Sequence, residues 1–175
     1  ERLGIPFHVF DFRAEFDRCV KRNFADTYAR GDTPNPCVEC NRHLKFGKLL
    51  DAALELGCDY IATGHYAKIL EDSDGYHLYM SDAKAKDQSY VLYNFNQETL
   101  SKTLMPLGDY TKEEVRKIAE ENNLIVSNKP ESMEICFVPN DDYKSFIKDF
   151  SGFIPKEGDI LDYQGNILGR HTGVM

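Results

Sequence analysis

Apolar and polar positions change period several times along this chain. Phe7–Phe12, FHVFDF, is a short apolar run suited to a buried strand. Phe16, Val20, Phe24 and Tyr28 then recur every four residues, one stripe of a helix that ends near Gly31. Thr33-Pro34-Asn35-Pro36 cannot continue a helix, because both prolines lack an N–H and restrict the residue before them. From about Glu39 a new helix fits, with Phe46, Leu49, Leu50, Ala53 and Leu54 on one face and Gly57 as its stop. DYIATGHYA, from Asp59 to Ala67, reads as a second buried strand ending in Gly64-His65-Tyr66. Strand, helix, helix, strand predicts an α/β fold with a parallel sheet.

From Tyr66 the rhythm differs. Two alternating runs flank Ser73-Asp74-Gly75 and predict a hairpin. Lys86–Phe95 is expected to be helical in its later part. Thr111-Lys112-Glu113-Glu114 is a capping box, and Val115, Ile118 and Ala119 form the inner face of the helix it opens. Asn123–Ser132 leads out of that helix, and Glu134–Val138, EICFV, reads as a short strand. After Pro139, Asn140 or Asp141 is expected to cap a last helix through Phe150. Gly158–Arg170 predicts a hairpin turning at Gln164-Gly165, the beginning of a β-rich unit. There is no internal repeat and no low-complexity tract.

Apolar residues make up 42% of the 175 and charged residues 29%, a balance that supports a packed core. No run approaches the roughly 18 apolar residues that a membrane-spanning helix needs. The first residues, ERLGIPFHVF, have neither a signal-peptide layout nor an initiator methionine and are expected to be the middle of a longer chain. A net charge of −8 repels nucleic acid in bulk, so any polyanion would have to be met by a local surface or by another part of a larger protein. Five cysteines at irregular spacing, without a secretory signal, suit a reducing compartment, and a cytoplasmic setting is expected.

Cys37-Val-Glu-Cys40 admits several chemistries. A structural zinc site would need a second pair, and only His43 lies near. A thioredoxin-like pair would follow a strand, whereas this one follows a proline-rich loop. Two incidental small residues would also fit. A reactive thiol is the remaining reading, since Cys40 lies in or near the first turn of a helix, where unpaired N–H groups favour thiolate. Cys136, in an apolar run, reads as a core cysteine by itself. His65 stands at the C-terminal end of a predicted parallel strand, where open α/β sheets place ligands, though a satisfied core histidine fits as well. Gly64 would permit close backbone approach. Lys86-Asp87-Gln88 is a polar cluster that reads either as a solvated helix start or as a contact site.

GDTPNPCVECNRHLKFGKLL, GCDYIATGHYA, AKDQSYVLY, LMPLGDYTKEEVRKIAEENNL and SMEICFV occur, in this order and at similar spacing, in the tRNA-specific 2-thiouridylase family. The chain resembles that family over nearly its whole length, and GNILGRHTGVM is similar to the family's passage into its second domain. The resemblance implies a Rossmann-like, parallel-sheet ATP-pyrophosphatase domain of the adenine nucleotide alpha hydrolase type. Residues 1–139 would be the C-terminal part of that domain and 140–175 the beginning of a central domain. The family's phosphate-binding Ser-Gly-Gly-x-Asp-Ser loop does not occur in these 175 residues, which are therefore expected to be unable to adenylate by themselves, and a C-terminal barrel is also expected to lie outside them.

The activity implied is ATP- and magnesium-dependent 2-thiolation of the wobble uridine of tRNA, with sulfur brought by a carrier protein as a persulfide and with no membrane involved. By motif, Cys40 matches the family's nucleophile and Cys136 its persulfide-bearing cysteine. Gly64 matches an ATP-contacting glycine and His65 a residue placed against tRNA. Asn35, Pro36 and Cys37 match the segment that meets the target base, and Lys86, Asp87 and Gln88 a tRNA-contacting segment. Many family members carry aspartate where this chain has Cys37. That departure raises an alternative, an iron–sulfur cluster held by Cys37, Cys40 and Cys136. A further alternative is a relative that adenylates another substrate.

Overall fold

Proline at position 36 opens a helix rather than blocking one, because its missing N–H falls on the first turn, where no intrahelical acceptor exists. The computed structural model describes residues 4–124 and 135–173. In it α3 (Pro36–Cys40) runs into a π-helical stretch, Asn41–Lys48, and then into α4 (Leu49–Glu55). Cys40, Lys48 and Leu49 at the joins all keep right-handed helical angles, so the three pieces form one rod, starting three residues before the expected Glu39. The π turn is visible in the bond from Leu49 N–H to Leu44 O. Gly47 relieves crowding there, since a Cβ would press to 3.1 Å from Arg42 O. The rod stops at Gly57, in the left-handed region at φ +83°, with Cys58 N–H returning to Ala53 O.

The four-residue spacing of Phe16, Val20, Phe24 and Tyr28 is resolved in the same way. A spacing of four overruns the α-helical period, and a π turn takes up the excess. Helical turns follow one another as α1 (Arg13–Phe16), a π turn (Asp17–Lys21) and α2 (Arg22–Ala29), ending at Gly31 as expected.

The chain divides into two compact units, residues 1–16 with 37–131 and residues 17–36 with 132–175. In the first, the rod packs Val38, Phe46 and Leu50 against Ile61, Ala67, Val91 and Leu92. β1 (Ile61–Ala62) pairs in parallel with β4 (Thr103–Leu104), and β2 (Ala67–Asp72) pairs antiparallel with β3 (Gly75–Met80) around the predicted turn. The alternation around Ser73-Asp74-Gly75 is thus a hairpin, with Asp74 N–H bonded to Asp72 Oδ1 at 2.8 Å. Gly108 lets a loop lie directly on β2, since a Cβ there would strike Ala67 O and come within 2.8 Å of Lys68 Cγ. α5 (Gln97–Ser101) precedes β4, and α6 (Lys112–Glu121) carries the predicted capping box, with Glu114 N–H bonded to Thr111 Oγ1 and Thr111 N–H to Glu114 Oε2.

Three expectations fail in whole or in part here. Phe7–Phe12 forms no strand; Phe7 is 87% and Val9 81% exposed, and His8, Phe10 and Phe12 stack along one side of an extended segment. Among the described residues no other segment pairs with it, and a run becomes a strand only through ladder bonds to a neighbour, so its exposed backbone is left to water. The second predicted strand shrinks to Ile61–Ala62, because only those residues meet β4. The helix expected in the later part of Lys86–Phe95 is present only as a short 3₁₀ turn, Ser89–Leu92, after another at Lys84–Lys86.

The second unit is built on aromatic packing. Phe24 is fully buried and meets Phe137 edge-on at 5.4 Å and Phe146 at 6.1 Å, while Tyr28 stacks on Tyr143. The predicted strand at Glu134–Val138 is instead a turn where it is described, closed by Val138 N–H to Ile135 O, just before the helix-opening Pro139. A 3₁₀ turn over Pro139–Asp141 displaces the expected cap by one residue. Asp142, not Asn140 or Asp141, accepts from Ser145 N–H and opens α7 (Tyr143–Ser151). β5 (Gly158–Leu161) and β6 (Ile167–His171) form the predicted hairpin. The predicted turn after α6 lies outside the described residues except for Asn123 and Leu124.

Phe24→Ala should destabilise this second unit by about 3–5 kcal/mol. Hydrogen exchange should show protection lost across α2 and α7, and unaltered protection there would contradict the packing described.

Candidate functional site

Parallel pairing ends β1 at Ala62, and the next three residues leave the ladder together. Ile61 N–H bonds to Lys102 O at 2.9 Å and Thr63 N–H to Leu104 O at 3.2 Å, so the departure point is fixed from both sides. Thr63, Gly64 and His65, with Lys45 from the π-helical stretch and Gln88 from the following loop, line an open pocket of about 340 Å³. Gly64 faces little: a Cβ there would touch only Leu107 Cδ1, at an ordinary 3.7 Å.

His65 is only 7% exposed and lies beside the ring of Phe46, centroids 5.8 Å apart. Burial, with Lys45 nearby as a second cause, pulls its pKa from 6.5 down to about 4. The ring is therefore neutral at pH 7. Lys45 Nζ lies 3.5 Å from Nε2 and can only donate, which makes Nε2 the acceptor. Nδ1 then carries the proton and donates to Thr63 Oγ1 at 2.8 Å, and Thr63 donates onward to Met105 Sδ at 3.5 Å. The chain of bonds runs in one direction and selects one tautomer.

The Lys86–Gln88 cluster is more structural than its composition suggested. Asp87 accepts from Ser81 N–H at 2.9 Å, Ser89 N–H at 3.2 Å and Ser89 Oγ at 2.6 Å. Gln88 clasps Tyr66 through both its backbone N–H and its side-chain Oε1, at 2.8 and 3.0 Å. Those bonds hold the Tyr66 end of the pocket in place. Lys86 is exposed.

Cys37 and Cys40 lie three apart on α3, one exposed and the other half-buried; because the helix starts at Pro36 rather than Glu39, Cys37 takes the first turn and Cys40, expected there, falls just past it. Asn35 is exposed and Pro36 buried. His43, the nearby candidate for a zinc ligand, is engaged with Glu39 at 3.2 Å. Within each unit, among the described residues, no three His, Cys, Asp or Glu side chains converge on a metal-sized site. Cys136 is exposed on the turn before Pro139, not in a core strand: Phe137 and Val138 take the inward positions beside it. Cys40 belongs to the first unit and Cys136 to the second.

The pocket's donor set fits a phosphate-bearing ligand, offering one ammonium and a glycine that leaves the backbone open. Among the described residues that line it there is no carboxylate. Lys45, Thr63 and Met105 were not legible as site residues. In the sequence Lys45 is one more cation on an amphipathic helix, and only the closeness of Thr63 to Gly64-His65 hinted at its part.

A family model described as the tRNA methyl transferase HUP domain matches residues 1–140. The chain is similar to the tRNA-specific 2-thiouridylase MnmA of Carboxydothermus hydrogenoformans, with 50% identity over 99% of this chain and 48% of the relative. To MnmA of Lachnoclostridium phytofermentans the identity is 52%, over 99% of this chain and 49% of the relative. To that of Clostridioides difficile it is 50%, with the same coverage. The chain thus spans about half the length of the curated relatives it matches.

A histidine whose folded pKa is depressed takes up its proton more readily in the unfolded chain. Its contribution to stability is therefore intact above pH 6.5 and is lost as pH falls from 6.5 toward about 4. Urea midpoints for His65→Gln should accordingly fall less than those of the wild type between pH 6.5 and 4.5. Parallel losses in the two proteins would mean that His65 is not held neutral.

Proposed function

Because the chain belongs to the tRNA methyl transferase HUP-domain family, we propose that the whole protein of which it forms part thiolates the wobble uridine of tRNA at C2. The observation that carries this reading is near-50% identity along 99% of the chain to proteins named for that activity. ATP supplies the activation, by turning the C2 oxygen into a leaving group.

The residues of this chain take the following parts. Cys136 carries the persulfide, an assignment that its exposure on a turn supports, because a donor protein must reach the sulfur. Its terminal sulfur bonds to C2 as AMP departs with the oxygen. The Cys40 thiolate then attacks the inner sulfur of that disulfide. The S–S bond breaks, a Cys40–Cys136 disulfide forms, and the electron pair stays on the sulfur that becomes the C2 thiocarbonyl. A thiol reductant restores the pair for the next cycle. Cys40 is half-buried on the helix that Pro36 opens, and the π turn directly after it is a distortion common at functional sites.

Gly64 gives the nucleotide close access to the backbone, and His65 faces the RNA as a neutral ring. Asn35, Pro36 and Cys37 meet the target base, with Lys86 on the tRNA surface and Asp87 and Gln88 holding its loop. Magnesium would ride on the nucleotide's phosphates rather than on a protein cage. Residues 1–139 act as the catalytic part, and 140–175 begin the next domain. A persulfide-carrying protein is the sulfur donor, and the cytoplasm is the setting.

In the full-length protein, Cys40→Ser and Cys136→Ser should each abolish 2-thiouridine, measured by mass analysis of tRNA nucleosides, with circular dichroism unchanged. Normal thiolation by either variant would end this assignment.

A further inference from the structure

Lys45 has no part in the function as stated. Among the described residues it is the one lysine or arginine lining the Gly64–His65 pocket. In a chain with 29 acidic and 21 basic residues, a half-buried cation would ordinarily meet a carboxylate. None of the ion pairs among the described residues includes Lys45. Its polar contact is a long one, 3.5 Å to an uncharged imidazole nitrogen.

That arrangement is a cation held ready for an anion. The next residue, Phe46, is buried in the core at 5% exposure and anchors this part of the rod, so the lysine stem starts from a rigid point. The long bond to His65 keeps the ammonium at the pocket wall without neutralising it. An anionic oxygen adds a full opposite charge to the hydrogen bond, which the neutral Nε2 at 3.5 Å does not, so an arriving anion would draw the ammonium off Nε2.

We propose that Lys45 is an anion-binding residue of this pocket, its ammonium taking a phosphate oxygen of the ligand that Gly64 and His65 face. The proposal rests on the reading of the pocket as one that meets nucleotide and RNA. Both bring the same chemistry, a phosphate ester oxygen. On transfer of the ammonium, Nε2 of His65 is released to accept a hydrogen bond from the ligand, while Thr63 keeps Nδ1–H oriented.

The test uses full-length wild type, Lys45→Met and Lys45→Arg. AMP and adenosine are titrated calorimetrically, and tRNA binding is measured at one fixed salt concentration. Methionine keeps the stem and removes the charge. It should weaken AMP or tRNA binding by about tenfold or more and leave adenosine binding unchanged, with arginine retaining most of the affinity. A loss confined to AMP assigns the phosphate to the nucleotide; a loss confined to tRNA assigns it to the RNA backbone. If wild type binds both and Lys45→Met stays within twofold for each, the role of Lys45 is refuted while the functional reading stands. If wild type binds neither, both fall together. A second measurement needs no Lys45 variant. In wild type labelled with ring-¹³C histidine, the His65 resonance, assigned by its loss in His65→Asn, should shift on saturation with the phosphate-bearing ligand and not with adenosine. A resonance that stays in place refutes the proposal.

Discussion

Two backbone hydrogen bonds, from Ile61 to Lys102 and from Thr63 to Leu104, govern where the chemistry of the first unit can sit. They hold a strand of only two residues parallel to another, and so set the point at which Thr63, Gly64 and His65 leave the sheet. Parallel pairing requires a long connection between its strands, here residues 63–102. That connection returns Gln88 to clasp Tyr66, closing the pocket from the other side. The rod from Pro36 to Glu55 supplies the remaining wall, and its burial of Phe46 and Leu50 against Ile61 ties the wall to the same strand.

The electrostatics follow from that placement. A histidine at the end of a strand would ordinarily titrate near neutrality. Packed beside Phe46 and facing an ammonium, this one stays uncharged until about pH 4. Neutrality makes it a hydrogen-bonding group of fixed direction rather than a base, with Lys45 on one nitrogen and Thr63 on the other. Among the described residues it also leaves the one charge at the pocket wall on Lys45, within a chain of net charge −8. A local positive centre in an acidic background is a stricter selector than a broadly basic surface, because repulsion disfavours a polyanion everywhere else.

The cysteines show how far a linear reading reaches. The sequence suggested Cys40 in or near the first turn of a helix from Glu39; α3 starts at Pro36 instead, which puts Cys37 in the first turn and Cys40 just past it. For Cys136 the apolar neighbours misled: Ile135, Phe137 and Val138 do pack inward, but on a turn, and a turn exposes the residue between them. Phe7–Phe12 misled in the opposite sense, since an apolar run states what a segment could bury and not whether a partner lies beside it. Asp87 and Gln88 looked like free polar groups, yet their oxygens and N–H groups are occupied in holding the loop.

Wherever a feature depends on atoms a few residues apart, the sequence alone determined it: the capping box at Thr111, the turns at Ser73-Asp74 and Gln164-Gly165, the helix ends at Gly31 and Gly57. Those follow from side-chain hydrogen bonds and backbone angles that no distant contact needs to support. Tertiary structure decided the π turns, the shortening of β1, the exposure of Cys136, the neutrality of His65 and the facing of Lys45 toward it. Each of these depends on which remote segment packs alongside, and burial and electrostatic environment exist only once that packing is made.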